Sequence, residues 1–238
     1  MKWSPLLAYC VGLITTDGCL SPNGRHIEFT SKDLELVEHV RKCFGPHNRV
    51  CTKGRGDGVR RYFRIQFGNV KLYQWLSSLG LTPRKSLTIG PLNIPHELFS
   101  DFLRGHLDGD GNITSYFDSI FPNSLRLYVR FSSASRPHLD WIQAVILDLW
   151  SLRGYQTTVT RAFRLNYAKG ASIELFKRLY ASPDAPCLSR KRRLAEPFLT
   201  AQAEVAELAD ATASGAVGRK AMGVRLPPSA CSLRCPPS

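Results

Sequence analysis

The sequence CVGLITTDG at residues 10–18 has the same order of residue types as LRGHLDGDG at residues 103–111. Each stretch has a helical pattern and ends in Asp-Gly, with Asp17 closing the first copy and Asp110 closing the second. A helix that ends in this way presents a carboxylate beside carbonyl groups that have no intrahelical partner. One such end is a common helix terminus, whereas two at matching positions predict an internal repeat that decides the fold.

The repeat continues after each acid, because the same features recur in the same order. Each half has an extended segment, a helical pattern, a second extended segment and a second helical pattern. They lie at 26–31, 33–44, 62–67 and 70–79 in the first half, and at 128–133, 139–152, 162–167 and 171–180 in the second. Ser31 and Ser135 are available as N-caps for the first helical pattern of each half.

These features predict two similar domains with a short connection. The first half is residues 1–90 and the second is residues 96–199, and Gly90–Pro95 is rich in helix-breaking residues and forms the linker. After the second half the composition changes to Ala, Gly, Ser and Pro, so residues 200–238 are expected to be a disordered tail. Within it, residues 218–228 resemble a transfer-RNA gene read as protein. The tail is therefore either functional or a read-through product.

Two glycines indicate how the halves meet. Gly12 and Gly105 each stand five residues before the acid of their copy. Since glycine has no side chain, two helices can approach closely there. Pseudo-two-fold packing of these helices would bring Asp17 and Asp110 side by side.

A pair of adjacent carboxylates predicts a metal site. Two like charges repel each other, and a divalent cation relieves that repulsion. Mg²⁺ prefers carboxylate, carbonyl and water oxygens. We therefore expect Mg²⁺, or Mn²⁺, at Asp17 and Asp110, with the carbonyl groups of Thr16 and Gly109 as further ligands. Such ions can activate water for phosphodiester hydrolysis.

The charge of the chain indicates its partner. Thirty-two Lys and Arg residues against nineteen Asp and Glu residues give a net charge of +13, which favours a polyanion such as nucleic acid or an anionic membrane surface. No apolar run is long enough to span a membrane. The membrane-surface interpretation explains the charge but leaves the duplicated acids unexplained.

The seven cysteines follow no disulfide framework and indicate a reducing compartment. The expected location is the cytoplasm or an organellar matrix, and we expect no secretion. His39, Cys43, His47 and Cys51 recur every four residues, but Pro46 interrupts any helix that would carry all four. Their spacing matches no common zinc pattern.

The two quoted stretches resemble the paired motifs of the LAGLIDADG homing endonucleases, in the single-chain form with two motifs. The likeness covers about residues 5–198. It implies an α+β fold of two pseudo-symmetric αββαββα halves, packed through the two motif helices and carrying saddle-shaped antiparallel sheets. The last acid of each motif, Asp17 or Asp110, would bind the catalytic metal, and the protein would be a monomer. Thr15 stands where the family often has an acid.

The resemblance also assigns roles to basic residues. Lys85 and Lys191 match a basic position in loops of the family that contact the scissile region. The sheets would lie in the major groove of double-stranded DNA. Side chains suited to bases or phosphates lie in or beside the predicted strands. They are Arg25, Arg60, Arg61, Arg64, Gln66, Arg126, Arg130, Arg161, Arg164 and Asn166.

The implied activity is metal-dependent double-strand cleavage of DNA at a specific site, a hydrolase reaction that serves homing of an intron or another mobile genetic element. The same fold also occurs in RNA maturases, which bind intron RNA, and in DNA-binding relatives that do not cleave. Fold alone does not decide between these functions. The presence of both Asp17 and Asp110 favours the endonuclease.

Overall fold

The two motif stretches form helices α1, Pro5–Asp17, and α4, Phe99–Asp110, in a computed structural model that describes residues 1–54, 61–121, 125–194 and 196–198. Helix α1 begins after Ser4, whose side chain accepts a hydrogen bond from the Leu7 amide at 3.2 Å. This cap satisfies one of the free amides at the helix start. Both helices end at a glycine in extended conformation, as the Asp-Gly pattern predicts.

Helices α1 and α4 meet backbone to backbone at the two predicted glycines. A Cβ atom at Gly12 would overlap the carbonyl oxygen of Phe102 and lie 2.8 Å from the amide nitrogen of His106. A Cβ atom at Gly105 would overlap the carbonyl oxygen of Tyr9. No larger residue fits at either position unless the helices separate.

The contacts along this interface also give the relative direction of the helices. Tyr9 contacts Gly105, and Thr16 contacts Gly109. Both partners advance in the same direction along the chain, so α1 and α4 run parallel and end together. This arrangement brings Asp17 and Asp110 to the same end of the helix pair.

Each half adds two helices and four antiparallel strands to its motif helix. The first half contains β1 Gly18–Leu20, β2 His26–Ser31, α2 Leu34–Phe44, β3 Cys51–Gly54, β4 Arg61–Gly68 and α3 Val70–Ser78, with strand order β1-β2-β4-β3. The second half contains β5 Asn112–Phe117, β6 Leu125–Ser133, α5 Arg136–Trp150, β7 Tyr155–Val159, β8 Ala162–Ala168 and α6 Gly170–Leu179, with strand order β5-β6-β8-β7. The predicted α+β fold of two αββαββα halves is confirmed.

The register of the strands is the same in both halves. Phe29 pairs with Ile65 in the first sheet, and Phe131 pairs with Leu165 in the second. All four side chains are fully buried and face the helices, so the alternate residues form the outer face of each sheet. The hydrophobic pattern thus determines which polar residues lie on the outer faces.

Two details differ from the sequence-based expectations. Helix α5 begins at Arg136, earlier than the predicted 139, because Pro137 occupies the first turn, where proline is tolerated. The linker at 90–95 is packed, since Leu92 and Ile94 are buried in the core. It therefore contributes to the core instead of only connecting the halves.

Several expectations concern residues that the structure does not describe. Arg60, the side chain of Arg61 and the predicted tail at 200–238 lie outside the described residues. Residues 1–199 form one unit that contains both halves. No helix in the described part of the chain is long and apolar enough to cross a bilayer.

Replacing Gly12 with Ala should lower the free energy of unfolding by about 3 kcal/mol, near the upper end for overpacking, because the new methyl group meets backbone and not a flexible side chain. Chemical denaturation measures this change. Gly170→Ala is the matched control, because Gly170 opens α6 with no atom near its Cβ position. Equal losses of stability in the two variants would contradict the close approach.

Candidate functional site

The parallel motif helices place two acids at one end of the interface. Asp17 and Asp110 are the last residues of α1 and α4. Strand β1 begins directly after Asp17, and β5 begins after Gly111. The acid pair therefore lies between the first strands of the two sheets.

The electrostatics of this pair are unusual for surface carboxylates. Asp17 reaches solvent, but the protein atoms around it remove much of its hydration. This desolvation, with repulsion from Asp110, raises the pKa of Asp17 to about 7, although Lys85 and Lys191 act in the opposite direction. Desolvation also raises the pKa of Asp110, against the same two lysines. Asp110 thus opposes the ionisation of Asp17, and desolvation opposes the ionisation of both acids.

Lys85 and Lys191 occupy equivalent places at the helix ends. Both are 5% exposed. Lys85 Nζ donates to the carbonyl oxygen of Gly18, directly after the first acid. Lys191 Nζ donates to the carbonyl oxygens of Leu107, Asp108 and Gly111, at 2.5, 2.9 and 2.7 Å. Each lysine is therefore held at the negative end of one motif helix.

The hydrogen bonds of Lys191 restrict what it can do. An ammonium group has three donors, and all three of those on Lys191 are used by carbonyl groups. Desolvation lowers its pKa to about 8, partly offset by Asp108. Lys191 can therefore contribute charge to the site without rearrangement. Direct contact with a phosphate would require it to give up one of its hydrogen bonds to a carbonyl oxygen.

Thr16 and Gly109, the residues predicted to supply carbonyl ligands, directly precede the two acids. Thr16 and Gly109 touch across the interface, and the Thr16 hydroxyl donates to the carbonyl oxygen of Leu13 at 2.9 Å. A cleft of about 140 Å³ opens beside Asp17. It is lined by residues 16–20, at the end of α1 and in β1, and by Thr82, Arg84, Lys85 and Ser86. It has room for an ion with its water molecules.

The remaining donors for a metal would be few. Among the described residues, no group of three or more His, Cys, Asp or Glu side chains is arranged to hold an ion. A cation at Asp17 and Asp110 must therefore use carbonyl oxygens, water and a bound substrate as well. This composition suits Mg²⁺, which retains water and is often bound by only one or two carboxylates.

A buried polar network around Asp108 was not predicted from the sequence. Asp108 is 1% exposed, and its Oδ2 accepts hydrogen bonds from the Tyr9 hydroxyl at 2.8 Å and from the Leu188 amide at 2.7 Å. Arg104 lies over the Tyr9 ring, with 5.6 Å between the guanidinium carbon and the ring centroid. Asp108 occupies the motif position where the first copy has Thr15, whose hydroxyl donates to the carbonyl oxygen of Val11. The replacement of Thr15 by Asp108 in the second copy was the sequence signal that could have revealed this network.

On the outer face of the first sheet, Arg64 and Gln66 lie next to each other. Arg64 donates to Glu28 at 2.6 Å and to Gln66 at 2.7 Å. Gln66 is exposed, and Arg25 is exposed in the turn before β2. Among the predicted DNA-binding residues of the first half, Arg64 thus has a carboxylate partner, Glu28, which the sequence did not predict.

On the outer face of the second sheet, arginines alternate with tyrosines. Arg130 donates to Thr114 at 2.8 Å and lies 4.9 Å from the ring centroid of Tyr128. Tyr128 stacks on Tyr116, which was not predicted. Arg126 pairs with Asp118 at 2.8 Å.

The last three predicted positions of the second half differ in exposure. Arg161 is exposed in the turn between β7 and β8, and Arg164 is partly buried on β8. Asn166 is only 4% exposed, and its amide nitrogen donates to Tyr155, Thr157 and Arg164. The structure therefore uses Asn166 to fix the edge strand β7.

The raised pKa of Asp17 predicts a pH-dependent stability in metal-free buffer. The folded state binds the proton of Asp17 more tightly than the unfolded state does. Protonation of Asp17 therefore stabilises the fold below the unfolded pKa, and this stabilisation is lost as the pH rises through about 7. We therefore expect the Tm of Asp17→Asn to rise relative to that of the wild type between about pH 5 and pH 8. Asp184→Asn, in an exposed loop, controls for the loss of one charge. A constant difference for Asp17→Asn would contradict the coupling.

Solved structures of other proteins share the fold of this chain. No protein-family model matches the sequence, and no curated protein matches it significantly. Among solved structures, full-length DUF199/WhiA from Thermatoga maritima has a TM-score of 0.56 at 13% identity, covering 90% of this chain and 69% of that one. Variants of the homing endonuclease I-DmoI give 0.53 at 15% identity, covering 81% and 97%.

The homing endonuclease I-WcaI, bound to its DNA recognition sequence, gives a TM-score of 0.54 at 13% identity, covering 78% of this chain and 86% of that one. At such low identity these similarities concern the fold. They agree with an α+β fold of two halves, each with a four-stranded antiparallel sheet. The resemblance inferred from the sequence is thus confirmed at this level, and the chain has the LAGLIDADG fold.

Proposed function

We propose that the chain is a site-specific DNA endonuclease that makes metal-dependent double-strand breaks by phosphodiester hydrolysis. The observation that carries the proposal is the pair of desolvated acids, Asp17 and Asp110, at the shared end of two glycine-packed helices. A helix interface needs no carboxylates at its end, and their mutual repulsion costs stability. A cation and a phosphate between them would turn that repulsion into binding energy.

In this proposal the chain's own residues divide the work. Asp17 and Asp110 hold the divalent cations, Mg²⁺ or Mn²⁺, with the Thr16 and Gly109 carbonyl groups nearby. Bound there, the ions supply activation of water and charge stabilisation at the leaving oxygen. Lys85 and Lys191 add positive charge at the helix ends, where negative charge accumulates as the phosphodiester is attacked.

Double-stranded DNA is the proposed partner of a monomer with internal pseudo-two-fold symmetry. The net charge of +13 favours a polyanion. The structures of I-WcaI and of I-GzeII contain DNA targets, and one of I-DmoI contains DNA and Ca. The outer faces of both sheets carry arginines that could contact bases or phosphates.

A second candidate is a nucleic-acid-binding protein of the same fold that does not cleave, either an intron RNA maturase or an inactive DNA-binding relative. DUF199/WhiA shares the fold at 13% identity, and the fold alone does not decide between cleavage and binding. Binding of DNA or intron RNA without strand breaks would support this candidate.

The substrate to test is the DNA obtained by joining the two sequences that flank this gene. Its cleavage should require Mg²⁺ and stop when a chelator is added. Asp17→Asn and Asp110→Asn should each reduce cleavage at least about a hundredfold while DNA binding persists, because each removes a charge that holds metal. Asp184→Asn is the control for charge. Gel analysis of plasmid breaks measures the rate, and full activity in either motif variant would refute the composite site.

DNA affinity should depend on the sheet faces. Arg130→Ala should weaken binding by about 1–3 kcal/mol, roughly five- to 150-fold in Kd. Arg178→Ala removes the same charge from α6, on the helical side, and should change Kd much less. Fluorescence anisotropy at fixed salt measures both variants. Equal losses would mean that total charge, and not the sheet face, controls binding.

A further inference from the structure

The residues that begin α2 and α5 do not serve as ordinary caps. Asp33 and Ser135 occupy the N-cap positions, but neither side chain accepts a hydrogen bond from its own helix. Such a bond typically stabilises a helix by about 1 kcal/mol. This capping hydrogen bond is missing at equivalent positions in the two halves. Both side chains instead make contacts across the interface.

Ser135, in the second half, holds the loop that follows Lys85 of the first half. Its hydroxyl donates to the Ile89 carbonyl oxygen at 2.5 Å, and His138 Nδ1 lies 2.9 Å from the carbonyl oxygen of Gly90. The Ile89 amide in turn donates to the Lys85 carbonyl oxygen at 2.8 Å. Ser135 and His138 are 2% and 1% exposed, so water cannot replace these bonds easily.

Asp33, in the first half, holds the helical segment that carries Lys191 of the second half. Arg190 donates to both Asp33 carboxylate oxygens, from Nε at 3.1 Å and from a terminal nitrogen at 2.9 Å. Beside it, Glu35 accepts hydrogen bonds from the Ser189 amide at 3.0 Å and from its hydroxyl at 2.5 Å. These contacts fix the two residues that precede Lys191.

The contact of Asp33 with Arg190 adds little to overall stability. The side chain of Arg190 is 59% exposed and that of Asp33 is 27% exposed. Ion pairs of this kind contribute about 0–1 kcal/mol. However, a two-pronged contact between guanidinium and carboxylate fixes orientation well. Its geometry therefore suits positioning better than stabilisation.

We propose that Asp33 and Ser135 are positioning residues, each of which holds across the interface the segment that carries the other half's lysine. Asp33 positions Lys191 beside the Asp110 end, and Ser135 positions Lys85 beside the Asp17 end. The effect on cleavage rests on the proposed endonuclease function. Each strand break would then depend on both halves, and loss of one contact would impair one strand selectively.

Chemical labelling of lysines tests the positioning without any need for nuclease activity. The full-length protein is treated with acetic anhydride, and labelling of Lys85 and Lys191 is followed by mass spectrometry. Asp33→Asn should increase labelling of Lys191 several-fold and leave Lys85 unchanged, and Ser135→Ala should do the reverse. Glu38→Gln on α2 and Asp140→Asn on α5 are matched controls, since their side chains contact Arg41 and Gln156 instead of the segments that carry the lysines.

A strand-specific assay then tests the consequence. A supercoiled plasmid with the cleavage site should accumulate nicked product with Asp33→Asn and with Ser135→Ala, and the uncut strand should differ between them. Arg190→Gln breaks the same contact as Asp33→Asn and should leave the same strand uncut. Ser135→Thr retains the hydroxyl and should restore cutting of both strands.

The outcomes separate the two proposals. Labelling that rises at both lysines together, or at neither, overturns the positioning role and leaves the endonuclease proposal standing. Labelling that follows the crossed pattern in a protein that never cuts DNA supports the positioning and overturns the endonuclease. Slower cutting of both strands to the same extent, with a lower Tm, would mean that the residues only stabilise the fold.

Discussion

The contact between the backbones of α1 and α4 is the constraint on which the rest of the structure depends. Because Gly12 and Gly105 leave no space between the helices, their parallel course brings the two acids together. A larger residue at either glycine would separate the helix ends as well as weaken the core. Stability of the interface and geometry of the site are therefore determined by the same contact.

The lysines explain how the fold tolerates two acids at one helix end. The carboxyl end of a helix carries partial negative charge from its free carbonyl groups, and an added aspartate is unfavourable there. Lys85 and Lys191 supply one buried positive charge to each end and lower the pKa of both acids. Each motif helix therefore ends in an aspartate with a positively charged lysine beside it. This charge stabilises the two carboxylates before any ligand binds.

The fold could be predicted in large part from the sequence because it is encoded twice. The repeated Asp-Gly, the paired glycines and the alternation around Phe29 and Phe131 are local patterns, and repetition raises their weight. What could not be predicted depends on contacts between distant residues. Neither the hydrogen bond of Tyr9 to Asp108 nor the burial of Asn166 has a local pattern. Ser31 and Ser135 were expected as caps, but Asp33 begins α2, and tertiary contacts take the hydroxyl of Ser135.

The hydrogen bond from Tyr9 to Asp108 crosses the interface in one direction only. By the motif alignment, Phe102 is the counterpart of Tyr9, and Thr15 is the counterpart of Asp108. Two copies of the first half would place the phenol opposite a threonine, and two copies of the second would place the buried carboxylate opposite a phenyl ring. Neither half is suited to self-association, so each half is specific for the other as its packing partner.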